Sequence, residues 1–155
     1  MLIIRSLSPA DYSDWKRMRK ALWPDADDIE HETEMIAISS GGTLEEEIGW
    51  QVLMAEDEGE LVGFIECSLR QTLAGCSTSP VGYIEGWYVD IDRRMRGIGK
   101  ALMTAAEEWA RAIGCLNMGS DVEFGNEISQ KAHLKTGYQV IGENEEGYLY
   151  LKTLH

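Results

Sequence analysis

The hydrophobic positions of the chain recur with two periods, and the changes of period divide it into elements. Met1-Leu2-Ile3-Ile4-Arg5-Ser6 is a short apolar run, and residues 2–6 read as a first strand. Ser8-Pro9 signals a helix start, with a hydroxyl residue as N-cap and proline at the first helical position. Trp15, Met18 and Leu22 follow at helical spacing, and Trp23-Pro24 ends that helix, because a residue before proline disfavours the helical backbone. The acidic stretch Asp25 to Glu34 contains a short second helix. Residues 50–56 and 60–70 read as a hairpin turning at Asp57-Glu58-Gly59, and residues 71–80 as a loop. Tyr83 to Asp90 is a strand. Ile98, Leu102, Ala105, Trp109 and Ile113 form one apolar face of a long helix, stopped by Gly114. Residues 115–121 make another strand, Glu127 to Lys135 a helix stopped by Gly137, and residues 138–142 and 147–153 a closing hairpin. This order predicts a single domain over residues 1–155 of mixed α/β (α+β) class, a mixed sheet with helices on its faces.

Composition narrows the range of partners. Lys and Arg number 14 and Asp and Glu 27, giving a formal net charge of −13. Such a chain repels nucleic acid and anionic membranes and attracts cations. The opening apolar run is far too short for a signal peptide or a membrane span, so a cytoplasmic protein is expected. Cys67, Cys76 and Cys115 are an odd count without close pairs, and neither a disulfide framework nor a metal site is expected from them.

One segment reverses the charge. In Val89-Asp90-Ile91-Asp92-Arg93-Arg94-Met95-Arg96-Gly97-Ile98-Gly99-Lys100 a strand ends, a basic loop with two glycines follows, and the long helix begins. A helix N-terminus leaves backbone N–H groups unpaired and carries partial positive charge. Gly97 and Gly99 let an anion approach those amides, and the surrounding arginines and Lys100 add charge, which together predict a pyrophosphate site. The spacing matches neither the Walker A loop nor the dinucleotide GxGxxG turn.

Arg94-Met95-Arg96-Gly97-Ile98-Gly99, after a strand and before an amphipathic helix, resembles the acetyl-CoA signature Q/R-x-x-G-x-G/A of the GNAT family of N-acetyltransferases. The resemblance implies a central mixed, mostly antiparallel sheet flanked by helices and splayed at the acetyl-CoA site. It implies that amides of Arg94, Met95, Arg96, Gly97, Ile98, Gly99 and Lys100 hold the pyrophosphate. It further implies that Trp87, Tyr88 and Val89 offer backbone groups to the acetyl and pantetheine parts. Asn126 to Tyr138 is similar to the family's later motif, in which an asparagine opens a helix that closes over CoA. By register His133 stands where many relatives carry the tyrosine that protonates the departing thiolate; Tyr138 or solvent are the other candidate donors.

Amine acetylation needs a carboxylate to hold the ammonium and accept its proton, and a backbone N–H for the oxyanion, for which the amide near Val89 is the candidate. Glu85, inside an apolar strand, and Asp121, at the end of Met118-Gly119-Ser120-Asp121, are the candidate carboxylates. Arg19 to Pro24, Ser79 to Val89, Gly119 to Asp121 and Ile128 to His133 resemble aminoglycoside 6′-N-acetyltransferases in particular. That likeness implies that Glu85 and Asp121 contact the antibiotic and its reacting amine, that Trp23, Asp25 and Asp28 shape the pocket, and that the protein is a homodimer. An acidic surface suits a polycationic substrate. Two other readings stay open: acetylation of a polyamine, metabolite amine or protein terminus, and a non-catalytic module that senses acyl-CoA.

Overall fold

In the computed structural model, residues 1–41 and 47–155 are described. The chain runs β1 (Leu2–Ser6), α1 (Tyr12–Leu22), α2 (Asp28–Ser39), β2 (Glu47–Asp57), β3 (Glu60–Arg70), β4 (Val81–Val89), α3 (Ile98–Ile113), β5 (Asn117–Glu123), α4 (Glu127–Lys135), β6 (Gln139–Glu143) and β7 (Gly147–Thr153). Short 3₁₀ turns stand at Pro9–Asp11 and Ile91–Arg93. The strands form one seven-stranded sheet in the order β1-β2-β3-β4-β5-β7-β6. Every neighbouring pair is antiparallel except β4 and β5, which are parallel and joined through α3. The expected mixed, mostly antiparallel sheet is therefore present.

Each face of the sheet carries its own core. On one, Ile98, Leu102, Met103, Ala106 and Ala110 of α3 pack against Ile65, Cys67, Ile84, Val89 and Met118. On the other, Trp15 and Met18 of α1 and Met35 and Ile38 of α2 cover Val52, Met54 and Phe64. A fully buried leucine such as Leu102 contributes about 1.5–3 kcal/mol.

Several boundaries differ from the sequence expectation. α1 begins at Tyr12, after the Pro9–Asp11 turn, which Ser8 caps with proline at the first position. The Ser8 N–H donates to the Asp11 carboxylate (2.8 Å), which is also clamped by Arg5. α2 runs on to Ser39 because Met35 and Ile38 supply a buried face beyond the acidic stretch. β2 starts at Glu47 and β4 at Val81, while Asp90 falls outside β4. The buried stripe of α3 is rotated from the expected one: Ala106 and Ala110 face the sheet, Ala105 and Trp109 are partly buried beside it, and Ile113 is 42% exposed. Close approach selects the alanines: a Cβ on Gly82 would stand 3.1 Å from the Ala110 Cβ.

Candidate active site

The site begins where the sheet opens. β4 and β5 pair at Gly82↔Met118, Tyr83↔Gly119 and Ile84↔Ser120 and at no later position, although both strands continue. The next residues on the two strands are Glu85 and Asp121. β3 and β4 also slip register here, Glu66 pairing with Gly86 and Cys67 with Ile84, so Glu85 is the extra residue of a bulge.

On the α3 face of the opening lies the basic turn. Gly97 precedes the helix with φ 84°, a left-handed conformation that glycine adopts without strain, and Met95 has φ 66°. A Cβ at Gly97 would meet nothing within 4 Å, so the space above the turn is open. The amides of Ile98, Gly99 and Lys100 precede the first intrahelical acceptance and have no helical partner. Arg96 and Lys100 are exposed and form no ion pair or side-chain hydrogen bond among the described residues. The other arginines are committed within the protein. Arg93 pairs with Glu60 (2.8 Å) and Asp57 (3.6 Å), and Arg94 Nε donates to the Val89 carbonyl (2.8 Å). Free amides, an open left-handed glycine and two uncommitted cations fit a pyrophosphate-bearing cosubstrate.

Trp87 ties this turn to α4. Its Nε1 donates to the Gly99 carbonyl (3.0 Å), and its ring meets His133 edge-on at 5.1 Å. Asn126 caps α4, its side chain accepting from the Ser129 N–H (3.1 Å). His133, 2% exposed, lies on the inner side of that helix. Its Nδ1 is 2.7 Å from the Ser129 carbonyl, so Nδ1 carries the proton and Nε2 accepts from the Ser120 hydroxyl (2.8 Å). Burial pushes its pKa below the usual histidine value. Tyr138 is 1% exposed and donates to Glu107 (2.9 Å), which Lys152 also holds (2.9 Å); burial and that carboxylate push the phenol well above its usual range.

The opposite face holds a cavity of about 660 Å³ between α1, α2 and the sheet. Trp23, Trp50 and His31 line it, with the carboxylates Asp25, Glu34, Glu47, Glu66, Glu85 and Glu123 and the guanidinium of Arg70. Its charges are arranged through pairs. Arg19 and Glu66, 1% and 2% exposed, form a buried ion pair at 2.6 Å, and Trp15 Nε1 also donates to Glu66 (2.9 Å). Glu85 accepts from the Ser68 hydroxyl (2.6 Å) and from Arg70, whose Nη2 is 3.1 Å from both its oxygens. Burial raises the Glu85 carboxyl, while Ser68 and Arg70 oppose that rise. Arg70 stacks on the Tyr83 ring at 3.7 Å, and the Tyr83 hydroxyl donates to Asp121. The two candidate carboxylates are thus linked through Arg70 and Tyr83. Asp121 itself is exposed and makes no ion pair among the described residues.

Of the residues expected to meet the substrate, Trp23, Asp25 and Glu85 line the cavity, whereas Asp28 and Asp121 do not. Asp28 opens α2 on the side facing α1 and pairs there with Lys20 (2.8 Å) and Lys16 (3.7 Å). Glu34, Glu47, Glu66, Glu123 and Trp50 also line the cavity; the density of carboxylates in the sequence is the one local signal for the four glutamates, and none marks Trp50.

Comparison with known proteins adds three likenesses and a family match. The model of the acetyltransferase (GNAT) family matches residues 13–138. An aminoglycoside N(6′)-acetyltransferase type 1 of Klebsiella aerogenes is 37% identical over 142 residues, 91% of each chain. The solved structure of AAC(6′)-Iy with the bisubstrate analogue CoA-S-monomethyl-acetylneamine has a TM-score of 0.82 and 30% identity, over 93% of this chain and 95% of that one. Aminoglycoside 6′-N-acetyltransferase AAC(6′)-Ih from Acinetobacter baumannii has a TM-score of 0.80 and 29% identity, again over 93% and 95%.

Proposed function

This chain belongs to the acetyltransferase (GNAT) family, and on that premise we propose that it transfers the acetyl group of acetyl-CoA to the 6′-amine of aminoglycoside antibiotics. The observation that carries the reading is the parting of β4 and β5 after Ile84↔Ser120, with Glu85 and Asp121 at its mouth. The phosphate turn lies on one side of this opening and the carboxylate-lined cavity on the other.

Acetyl-CoA supplies an activated thioester, and the amides from Arg94 to Lys100, with Arg96 and Lys100, hold its pyrophosphate. The backbone of Trp87, Tyr88 and Val89, no longer used by β5, serves the acetyl and pantetheine parts, and an amide near Val89 stabilises the oxyanion. Asn126 keeps α4 in place beside this groove. Glu85 is already partnered by Arg70 and Ser68, so its work is to orient and hold the substrate cation. Asp121, held by the Tyr83 hydroxyl, accepts the ammonium proton through water. Trp23 and Asp25 position the sugar rings.

His133 positions Trp87 and Ser120: its N–H is committed to Ser129 and its Nε2 is an acceptor. Tyr138 is committed to Glu107. Solvent is therefore the donor to the departing thiolate. The net charge of −13 steers a polycation inward and disfavours nucleic acid and anionic membranes as partners. No described helix is long and apolar enough to cross a membrane. The cytoplasm, which supplies acetyl-CoA, is the proposed place of action. Exposed Val140 and Ile141 on the edge strand β6 support a homodimer.

Release of free CoA thiol from acetyl-CoA, measured with and without kanamycin or tobramycin, tests the reading. Aminoglycoside-dependent release with the acetyl group on the 6′-amine is expected. Acetyl-CoA binding without any such release would overturn the substrate assignment.

A further inference from the structure

We propose that Gly86 is a specificity-determining position of the acetyl transfer: its bare Cα sets how deeply the Trp23 indole stands in the acidic cavity. The inference rests on the aminoglycoside reading above and concerns the wall that the sugar rings would meet.

A Cβ built on Gly86 would lie 2.5 Å from Trp23 Cη2 and 2.9 Å from Cζ2. Those atoms are the edge of a rigid ring, which cannot fold aside as the end of a flexible chain would. The indole has little freedom elsewhere. The Arg19 guanidinium stands 4.8 Å from its centroid, and Phe64 packs against it at 6.4 Å. The Trp23 backbone is pinned too: its amide N–H donates to the Arg19 carbonyl (2.8 Å), and its carbonyl accepts from His31 Nε2 (3.2 Å). Arg19 is itself fixed by Glu66, the register partner of Gly86. Trp23 is therefore enclosed by its own helix end, by Arg19 and by β4, and its remaining direction of escape is into the cavity that it lines.

Gly86 does not have a positive φ, so alanine meets no backbone conflict there. Any effect of Gly86→Ala must act through what its methyl touches, which is Trp23 and, more distantly, Leu22. Gly86 also follows Glu85 at the bulge, so a shifted indole would narrow the cavity beside the carboxylate that holds the cation.

The test is a double-mutant cycle on the full-length enzyme with Gly86→Ala, Trp23→Phe and the pair, read by kinetics and by urea unfolding. Phenylalanine lacks the outer edge of the indole that the methyl would strike. Gly86→Ala is expected to raise the KM for kanamycin roughly tenfold, as overpacking strain would, and to leave the KM for acetyl-CoA unchanged. In the Trp23→Phe background the same alanine should cost little in either measurement. An equal penalty in both backgrounds, or a matching rise in the acetyl-CoA KM, would overturn the proposal. So would an unchanged kanamycin KM in a folded Gly86→Ala enzyme. Wild-type enzyme inert toward every aminoglycoside would sink the substrate reading instead; the unfolding cycle would then still decide whether Gly86 sets the Trp23 position.

Discussion

The basic turn and the acidic cavity lie on opposite faces of the same opened sheet, yet they are built in opposite ways. The turn is local: its amides, its left-handed glycine and its free cations come from consecutive residues between Arg94 and Lys100. The cavity is assembled from α1, α2, β2, β3, β4 and β5, and its carboxylates are held by partners far away in the chain. Arg19 meets Glu66 across 47 positions, and Ser68 meets Glu85 across 17. A local device presents backbone dipoles that resist side-chain substitution; a distributed one depends on each partner being present. The cavity should therefore be the more fragile region.

Arg19→Met is the severest test of that contrast. It leaves the Glu66 carboxylate buried without its counter-charge, which typically costs about 3–5 kcal/mol. Urea unfolding should show the loss, and the double variant Arg19→Met with Glu66→Leu should recover much of it. A single variant as stable as the parent would mean that the pair does not hold the cavity together.

Asp121→Asn comes next. Loss of the proposed proton acceptor should lower kcat with kanamycin about a hundredfold, within the usual range for general-base catalysis, while the KM for acetyl-CoA stays the same. Glu85→Gln should act more on the kanamycin KM than on kcat, because Arg70 and Ser68 already occupy that carboxylate. Equal kcat losses in the two variants would remove the division of labour between them.

Gly97→Val strikes the local region. A branched side chain at φ 84° costs about 1–2 kcal/mol of backbone strain, so the turn should be distorted without loss of the fold. Calorimetric titration should show CoA binding roughly tenfold weaker. Normal CoA affinity in the folded variant would count against the turn as the pyrophosphate site.

The same contrast explains what could be read from the sequence. The turn, its strand and its helix were legible because glycine spacing and apolar periodicity are local signals. Glu85 stood out as a carboxylate in an apolar strand, but Arg70 and Ser68 as its partners did not, because pairing across β3 and β4 depends on a bulge. Asp28 shared the acidity of its neighbours, and only the packing of α1 on α2 turned it toward Lys16 and Lys20. Motif register singles out His133, whereas the engagement of its Nε2 depends on Ser120, a residue of β5.

Even the turn has a distributed part, and its arginines give the finest test. By sequence Arg93 and Arg96 are equivalent cations of the basic loop that precedes Gly97. In the fold Arg93 is tied to Asp57 and Glu60 of the β2–β3 hairpin, whereas Arg96 stands exposed without an ion pair among the described residues. Arg96→Ala should weaken CoA binding by roughly threefold to tenfold, about 0.6–1.4 kcal/mol, near the upper end for a solvent-screened ion pair. The loss should shrink as ionic strength rises, because an exposed charge is screened. Arg93→Ala should leave CoA affinity unchanged and lower stability by no more than about 1 kcal/mol, the ordinary worth of a surface ion pair. If Arg93→Ala weakens CoA as much as Arg96→Ala does, the hairpin is part of the cofactor site, and the turn is less local than its sequence makes it look.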